Sequence, residues 1–337
     1  MVKVLVTGGA GYIGAHTCKL LAQSGYRPVV YDNLSTGHAH FVKWGPLEEG
    51  DLHDTEHLTA VLRIHNPKAV IHFAASAYVG ESMANPFKYY KNNVWGTLSL
   101  LDAMRAADVR DIVFSSSCAT YGNPDTEFIV ETTPQTPISP YGQSKLMIEQ
   151  ILRDLAARGQ IRQVSLRYFN AAGADLDCEI GEDHDPETHV IPLAIQAGMG
   201  GKRFRIFGED FPTRDGTCER DYIDVNDLAS AHVAALAHLL KGGASDFINL
   251  GTGRGVTVAE LVAALQILGF DLKAERAPRR EGDPARLIAN VQKAADVLNW
   301  RAQYLDIKEL LAHALAWHHK NDPKDLDSSR LAGGSRS

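Results

Sequence analysis

The glycine-rich turn near the start of the chain constrains the fold more than any other feature. Residues 2–6 form an apolar run typical of a buried parallel strand, and a helical apolar period begins at Ile13. Between these elements lie Gly8, Gly11 and Gly14. A sharp turn, a diphosphate lying against bare backbone and close helix–sheet packing each exclude a Cβ. Because a helix also presents free N–H groups at its start, the turn predicts a dinucleotide-binding strand–helix unit.

The second predicted strand, residues 28–31, runs into Asp32. A carboxylate about 20 residues beyond the glycine turn is typical of one that accepts both ribose hydroxyls of a dinucleotide. It repels a 2′-phosphate, and residues 33–37 contain no arginine to attract one. The sequence therefore predicts NAD rather than NADP as the cofactor. A capping aspartate after a strand is the alternative interpretation.

Strand and helix patterns alternate through the first half of the chain. This predicts an α/β fold, a doubly wound parallel Rossmann sheet with a second, smaller substrate-binding lobe. Further strands are predicted at residues 69–73, 111–114, 163–168 and 247–250. Ligands bind outside the carboxyl ends of such strands. We therefore expect cofactor contacts from Phe73, Ala74 and Tyr168, whereas His72 is interpreted as a core histidine.

The regular alternation ends after residue 173, and the segment that follows is rich in loops, proline and glycine. The predicted parts are an NAD-binding domain at 1–173, a return to it at about 216–252, a substrate-binding lobe at 174–215 and 253–320, and a disordered tail at 325–337. At 337 residues the chain is long enough for two such domains.

Bulk composition excludes several classes of partner. A formal net charge of −7 argues against nucleic-acid and anionic-membrane partners. No apolar run reaches the roughly 18 residues of a membrane span, and the chain enters its first strand at once. We therefore expect no membrane association, no signal peptide and a cytoplasmic location. The four cysteines form no metal-type pair, so we expect no metal site.

Tyr141 and Lys145 open a predicted helix, with Ser139 as its N-cap and Pro140 as its first residue. Residues four apart share a helix face. A neighbouring ammonium and a positively charged nicotinamide both favour phenolate, which lowers the tyrosine pKa. Such a base takes a proton from a sugar hydroxyl while hydride leaves the same carbon for NAD, and Ser117 can hydrogen-bond that hydroxyl. Lys145 can also hold the nicotinamide ribose. The alternative is a packing tyrosine beside a lysine that extends to solvent.

Arginines in the irregular second half suit an anionic nucleotide, because a guanidinium grips phosphate with two parallel hydrogen bonds. Solvated surface charge is the better interpretation for most of them. Arg220 and Arg280 lie in ordered-looking sequence contexts, and we favour these two as nucleotide ligands.

Several motifs together resemble a known family. They are TGGAGYIG at 7–14, DNL at 32–34, VGES at 79–82, SSS at 115–117, YGxxK at 141–145, LRYFN at 166–170, GT at 216–217, RDYI at 220–223 and RRxGD at 279–283. Spread from residue 1 to about 320, they resemble the extended short-chain dehydrogenase/reductases and, within these, the UDP-glucose 4-epimerase family.

The resemblance implies an isomerase that interconverts UDP-glucose and UDP-galactose. NAD stays bound, takes a hydride from sugar C4, and returns it after the 4-keto sugar has rotated. The implied catalytic residues are Tyr141 as base, Lys145 as its partner and Ser117 as hydroxyl ligand. The implied cofactor contacts include Gly8, Gly11, Tyr12, Ile13, Gly14, Asp32, Asn33 and, at the adenine, Asp51 and Leu52. The implied UDP contacts are Asn170, Arg220, Arg280 and Asp283. A homodimer is also implied.

Three segments depart from the family pattern. Residues 74–78 lack a lysine that is often present, Thr188-His189 replaces an asparagine pair, and residues 286–288 lack a tyrosine. The last two leave the sugar open among glucose/galactose, their N-acetyl forms and arabinose/xylose.

Two other functions compete with epimerisation. A nucleotide-sugar dehydratase or decarboxylase of the same fold tends to carry a carboxylate just after the fifth strand, where residues 118–120 read Cys-Ala-Thr. A regulator that senses NAD without chemistry has no need of Tyr141, Lys145 and Ser117 together. Fold alone does not decide between these functions.

Overall fold

A computed structural model describes residues 1–280 and 283–321 of the chain. The strands are β1 (Lys3–Thr7), β2 (Arg27–Asp32), β3 (Leu47–Glu49), β4 (Ala69–His72), β5 (Asp111–Ser115), β6 (Arg162–Tyr168), β7 (Asn170–Ala172), β8 (Phe204–Phe207), β9 (Glu219–Asp224), β10 (Asp246–Leu250), β11 (Gly255–Thr257), β12 (Ala274–Ala277) and β13 (Arg286–Leu287). The predicted tail at 325–337 lies outside the described residues.

Helices separate most of these strands. They are α1 (Tyr12–Gln23), α2 (Thr55–His65), α3 (Val79–Ala84), α4 (Pro86–Tyr89), α5 (Gly96–Ala106), α6 (Pro140–Ala157), α7 (Val190–Met199), α8 (Val225–Leu240), α9 (Val258–Ile267), α10 (Gln292–Leu298) and α11 (Ile307–Lys320). Across the described ranges, no helix is both long enough and apolar enough to cross a membrane.

The main sheet has seven parallel strands in the order β10-β6-β5-β4-β1-β2-β3. Strand order reverses between β1 and β4, which places a ligand crevice at their carboxyl ends. Side chains of β1 alternate between the two faces: Val4 and Val6 pack in one core with residues of α1 and α8, and Leu5 packs in another with residues of α2 and α5. The predicted doubly wound Rossmann sheet is confirmed.

A second unit is built around β9, which pairs with β7, β11 and β13 in a four-stranded sheet. The pair β8–β12 and the helices α7, α9 and α11 share its apolar core. Within residues 216–252, β10 joins the main sheet and α8 packs on α1, whereas β9 pairs, in the part of the chain that the structure describes, with strands of this second unit. The chain therefore passes between the two units more than once.

The helix predicted for residues 91–107 begins differently in the structure. Its first turns form a π-helix, Tyr90–Trp95, which follows α4 directly and continues into α5. Apolar spacing does not reveal this irregularity, because a π-turn adds one residue without interrupting the helix. The predicted cap of α6 is confirmed: the Ser139 side chain accepts a hydrogen bond from Gly142 N, and Pro140 is the first helical residue.

Candidate active site

Gly8 and Gly14 are required by the packing of the chain itself. Gly8 has a φ of 73°, and a Cβ there would lie 2.6 Å from Ala74 N, at the end of β4. A Cβ on Gly14 would lie 2.2 Å from the carbonyl oxygen of Gly8. Both distances are shorter than real Cβ contacts, so any side chain here would push the turn away from the sheet.

Gly11 has a different reason to lack a side chain. It is the N-cap residue of α1, and a Cβ at this position would have Gly8 O as its nearest atom, at 3.4 Å, an ordinary contact. No contact with the described residues therefore demands glycine at this position. The missing Cβ leaves bare backbone beside the positive end of α1, as a bound diphosphate requires. The predicted diphosphate site fits this geometry.

Asp32 fastens the glycine turn to the end of β2. Its two carboxylate oxygens accept hydrogen bonds from Ala10 N and Leu34 N, each at 2.9 Å. Burial raises the pKa of Asp32, while these two backbone donors oppose the rise. Each oxygen keeps lone pairs for ribose hydroxyls. The contacts do not support the alternative of a helix cap, because Asp32 holds a loop and is not the N-cap of a described helix.

The residues predicted at the adenine end lie together. Asn33 Nδ2 donates to Asp51 Oδ2 at 2.9 Å, and His53 Nδ1 lies 2.6 Å from Asp51 Oδ1. Burial raises the pKa of Asp51, but hydrogen bonds from His53 and Asn33 outweigh it and leave the pKa below its ordinary value. Leu52 is buried in the core beside α5. The structure therefore presents an ionised carboxylate beside the end of β2.

Tyr141 and Lys145 share the first turns of α6 and face the carboxyl end of β5. Lys145 Nζ donates to Ser115 O at 2.6 Å and lies 5.9 Å from the centre of the Tyr141 ring. Burial lowers the pKa of Lys145 to about 7, and the nearby Glu149 carboxylate opposes that shift. The lysine is therefore held inside the protein and does not extend to solvent.

Burial raises the pKa of the Tyr141 phenol above its ordinary value, and Tyr168 adds to the rise. The Ser117 hydroxyl acts in the opposite direction but does not outweigh burial. The prediction that Lys145 lowers this pKa is thus wrong for the protein groups alone. The reason is that burial removes water from the phenolate. Burial also lowers the pKa of Lys145, so that the lysine is less fully protonated.

Tyr168 reaches the same strand end from β6. Its hydroxyl lies 2.6 Å from Ser115 Oγ, whose backbone carbonyl accepts the Lys145 bond. Ser117 is buried and is the N-cap of a short 3₁₀ turn, accepting from Ala119 N at 3.1 Å. These contacts bring the predicted residues of β5, β6 and α6 to one crevice.

His72 is a core histidine, as predicted. Its Nδ1 lies 2.7 Å from Thr7 Oγ1 and its Nε2 lies 2.9 Å from Thr97 Oγ1. Burial, reinforced by the Lys145 charge, lowers the pKa of His72 to about 3. It is therefore neutral and holds β4 against β1 and α5.

A buried ion pair beneath the crevice escaped the sequence analysis. Glu149, one turn after Lys145, accepts two hydrogen bonds from Arg167 on β6, at 2.9 and 2.7 Å. Its Oε1 also accepts from Ser116 Oγ at 2.5 Å. Both charged side chains are essentially fully buried. The sequence shows that Glu149 lies four residues after Lys145 on the same helix. It does not show that Arg167, on β6, is the partner of Glu149.

Asn93, in the π-helix, also escaped the sequence analysis. Its Nδ2 donates to Ser144 Oγ at 3.0 Å, and its Oδ1 accepts from Ser76 N at 2.8 Å. One fully buried amide thus ties the loop after β4, which lacks the family lysine, to α6. The π-turn is the local irregularity that accompanies this side chain, a common association at functional sites.

The predicted UDP residues lie in the second unit. Arg220, on β9, donates to Asp283 Oδ1 at 2.6 Å. Asn170, on β7, is paired in register with Tyr222 of the same β9 strand. The Arg280 guanidinium lies 4.0 Å from the centre of the Phe207 ring. Strand β9 thus connects three of the four predicted residues, Asn170, Arg220 and Asp283. Residues 281 and 282, between Arg280 and Asp283, lie outside the described ranges.

Comparisons with known proteins agree with this geometry. The model of the NAD dependent epimerase/dehydratase family matches residues 4–251. A UDP-glucose 4-epimerase of Rhizobium leguminosarum bv. trifolii is 55% identical over 95% of this chain and 98% of its own length. A UDP-glucose 4-epimerase structure from Brucella ovis in complex with NAD is 51% identical, with a TM-score of 0.92 over 94% of this chain and 98% of its own. A Stenotrophomonas maltophila UDP-glucose-4-epimerase structure with bound NAD and formylated UDP-arabinopyranose is 39% identical, with a TM-score of 0.93 over 98% of this chain and all of its own.

Alanine at Gly11 and alanine at Gly14 should impair different properties, nucleotide binding and folding stability. Gly11→Ala should fold normally but bind the dinucleotide at least about tenfold more weakly, a loss of about 1.4 kcal/mol. Gly14→Ala should lower the free energy of unfolding by ~1–3 kcal/mol, because its Cβ overlaps Gly8. Nucleotide released on denaturation and chemical unfolding curves measure the two effects. Gly80→Ala, where a Cβ meets no atom of the described residues within 4 Å, is the control. Equal loss of nucleotide in Gly80→Ala and Gly11→Ala would contradict the assignment.

Proposed function

We propose that this chain, which belongs to the NAD dependent epimerase/dehydratase family, is an isomerase that epimerises UDP-sugars at C4 with NAD as its cofactor. The observation that carries the proposal is the crevice shared by Tyr141, Lys145 and Ser117 at the carboxyl end of β5. It lies in the same parallel sheet as the glycine turn, whose open backbone at Gly11 suits a diphosphate.

The proposed cofactor contacts follow the edge of the main sheet. Gly11 and the start of α1 hold the diphosphate, and Asp32 accepts the hydroxyls of the adenine ribose. Asn33, Asp51 and Leu52 lie at the adenine. The described proximity of Phe73 and Ala74 to the turn at Gly8 supports their role beside the diphosphate, together with Tyr12 and Ile13 at the start of α1.

When bound, NAD would supply reversible hydride transfer at C4 of the sugar. Tyr141 removes the proton of the C4 hydroxyl, and Ser117 hydrogen-bonds that hydroxyl and orients it. Lys145, with Tyr168 on the same serine, holds the nicotinamide ribose. Burial raises the phenol pKa and the Ser117 hydroxyl opposes the rise. The positive charge of a bound nicotinamide would favour the phenolate further.

The second unit, which is built around β9 and includes β7, is proposed to bind UDP together with the lobe predicted at 174–215 and 253–320. The buried Arg220 guanidinium, oriented by Asp283, and the Arg280 guanidinium against Phe207 supply charge for the diphosphate. Asn170 is proposed to contact the nucleotide from β7. A firmly held UDP beside a crevice with few charged side chains would leave the 4-keto sugar free to rotate.

Epimerisation suits the site better than the competing reactions. Elimination of water needs a further acid and base, and the 3₁₀ turn after β5, Cys118–Thr120, contains no carboxylate. A sensor of NAD has no use for a base, its hydroxyl ligand and a buried lysine in one crevice. UDP-glucose/UDP-galactose is the proposed pair, since the relatives compared are named UDP-glucose 4-epimerase and inversion at C4 interconverts glucose and galactose. The formylated UDP-arabinopyranose in one neighbour makes UDP-arabinose/UDP-xylose the second candidate.

We also propose a cytoplasmic location. All four cysteines are free thiols, as is usual in a compartment kept reduced by glutathione and thioredoxin.

A homodimer is proposed from the surface formed by the π-helix and its neighbours. Met83, Phe87, Trp95 and Leu98 are 62%, 74%, 54% and 45% exposed. Large apolar side chains concentrated in one exposed segment are typical of an interaction site.

Replacing the proposed base should abolish catalysis without affecting folding. Tyr141→Phe should lower turnover at least ~100-fold, the usual scale for a general base, while NAD content and thermal stability stay near wild type. Coupled assays with UDP-galactose measure the rate. Tyr26→Phe, a tyrosine in the turn before β2, serves as the control. Turnover near wild type in a folded Tyr141→Phe protein would show that another group is the base.

The fate of the C4 hydrogen tests the reaction itself. Purified protein, without added NAD, should epimerise UDP-glucose. The rates of epimerisation of a panel of UDP-sugars should show which sugar the protein prefers. In heavy water the inverted sugar should carry no carbon-bound deuterium, because the hydride returns from the same cofactor. Mass spectrometry after back-exchange of hydroxyl hydrogens measures this. A gain of one deuteron on carbon would identify an elimination or a proton abstraction beside a carbonyl instead.

The oligomer should depend on the apolar surface. Leu98→Asp should convert a dimer to a monomer, because a carboxylate at the interface loses its hydration without gaining a partner. Light scattering coupled to size exclusion measures the mass. Ile267→Asp, on an exposed apolar residue of α9, is the matched control. A wild-type protein that is monomeric at all concentrations would refute the homodimer.

A further inference from the structure

The segment between β7 and α7 gathers two carboxylates and two imidazoles into one cluster. Glu182, His184, Glu187 and His189 each offer a ligand atom, and these atoms all lie within 4.8 Å of one another. We propose that this Glu–His cluster is a tetrahedral Zn²⁺ site. The prediction of no metal rested on cysteine spacing alone, which does not examine histidine and glutamate.

The distances between ligand atoms match the size of a zinc ion. Zinc bonds of about 2.0–2.1 Å place the corners of a tetrahedron roughly 3.3 Å apart. Glu182 Oε1 lies 2.7 Å from His189 Nδ1 and 3.3 Å from His184 Nδ1. Glu187 lies 3.3 Å from His189 Nδ1 and 3.8 Å from His184 Nδ1. Only small movements are needed to surround one ion with two nitrogens and two oxygens.

His184 supplies an independent observation. Its Nδ1 is buried and has no hydrogen-bond partner among the described residues. The atom is directed toward the two carboxylates, yet its contacts of 3.3 and 3.8 Å lack hydrogen-bond geometry. Leaving a buried imidazole nitrogen without a hydrogen bond of good geometry costs free energy. A cation between the nitrogen and the carboxylates would remove that cost.

A second carboxylate cluster in the described chain provides a contrast. Asp175, Asp177 and Glu179 also converge, but Lys19 Nζ lies 2.8, 2.8 and 2.7 Å from them and supplies the positive charge. Within residues 1–280 and 283–321, Glu182 and Glu187 have no such lysine or arginine and form ion pairs only with histidines.

The surroundings would orient the ligands. Glu187 Oε1 accepts backbone hydrogen bonds from Thr188 and His189, at 2.7 and 2.8 Å, the kind of outer contact that fixes a metal ligand. The His184 ring packs edge-on against Tyr12 of α1 and Tyr78 of the loop after β4. A zinc ion here would join the start of α7 to the elements beside the glycine turn.

Metal titration of the full-length protein tests the proposal. After chelation and dialysis, the protein should take up one Zn²⁺ per chain, release protons as the histidines deprotonate, and unfold at a higher temperature. Co²⁺ in the same site should give the intense visible absorption of tetrahedral coordination. Glu187→Gln and His184→Asn should each weaken Zn²⁺ binding by more than about 100-fold, beyond the 10–100-fold that outer contacts are worth.

Asp177→Asn, in the lysine-paired cluster, is the matched control and should bind Zn²⁺ like the wild type. NAD content and thermal unfolding report whether each variant is folded, and two different ligand variants guard against the failure of one. Absence of stoichiometric Zn²⁺ uptake by the wild type would overturn the site. So would wild-type affinity in both folded ligand variants, or an equal loss in Asp177→Asn. None of these results bears on the UDP-sugar reaction, which is measured separately.

Discussion

The buried Glu149–Arg167 pair is the interaction on which the proposed catalytic geometry depends. It joins α6 to β6, and the Ser116 bond adds the end of β5. Lys145 lies one turn away on the same helix, so its bond to the end of β5 relies on this register. Removing one partner of such a pair leaves an uncompensated buried charge, typically at a cost of about 3–5 kcal/mol. The pair therefore fixes the position of α6, but the loss of either partner would destabilise the fold.

The glycine turn imposes the complementary constraint on the other side of the crevice. Gly8 allows the turn to pack against the end of β4, and Gly14 allows the start of α1 to pack against Gly8. Asp32 holds the turn through a hydrogen bond from Ala10 N. These contacts use the protein's own atoms, whereas Gly11 keeps space for a ligand. One short segment thus serves both packing and binding, and the two uses fall on different glycines.

Much of this could be predicted because its causes are local. Apolar periodicity predicts the strands and helices. The spacing of the glycines predicts the turn, Ser139 before Pro140 predicts the start of α6, and a separation of four residues places Tyr141 and Lys145 on one helix face. The Arg167 and Asn93 contacts, and the Glu–His cluster, could not be predicted because they depend on tertiary packing. The rise that burial causes in the Tyr141 pKa, in the protein without its cofactor, was missed because spacing does not reveal burial. The roles of the UDP residues stay predictions, since the structure gives their positions without their ligand.

The passage of the chain between its two units has a consequence for biosynthesis. Strand β6 ends at Tyr168, but its outer neighbour β10 begins only at Asp246. While the intervening residues emerge from the ribosome, the edge of β6 has no strand to cover it, and an uncovered edge invites pairing with other chains. Pairing of β10 with β6 also joins residues that are far apart in the sequence, and such non-local pairing slows folding. The insertion of residues 169–245 between two neighbouring strands thus prolongs the exposure of that edge during synthesis.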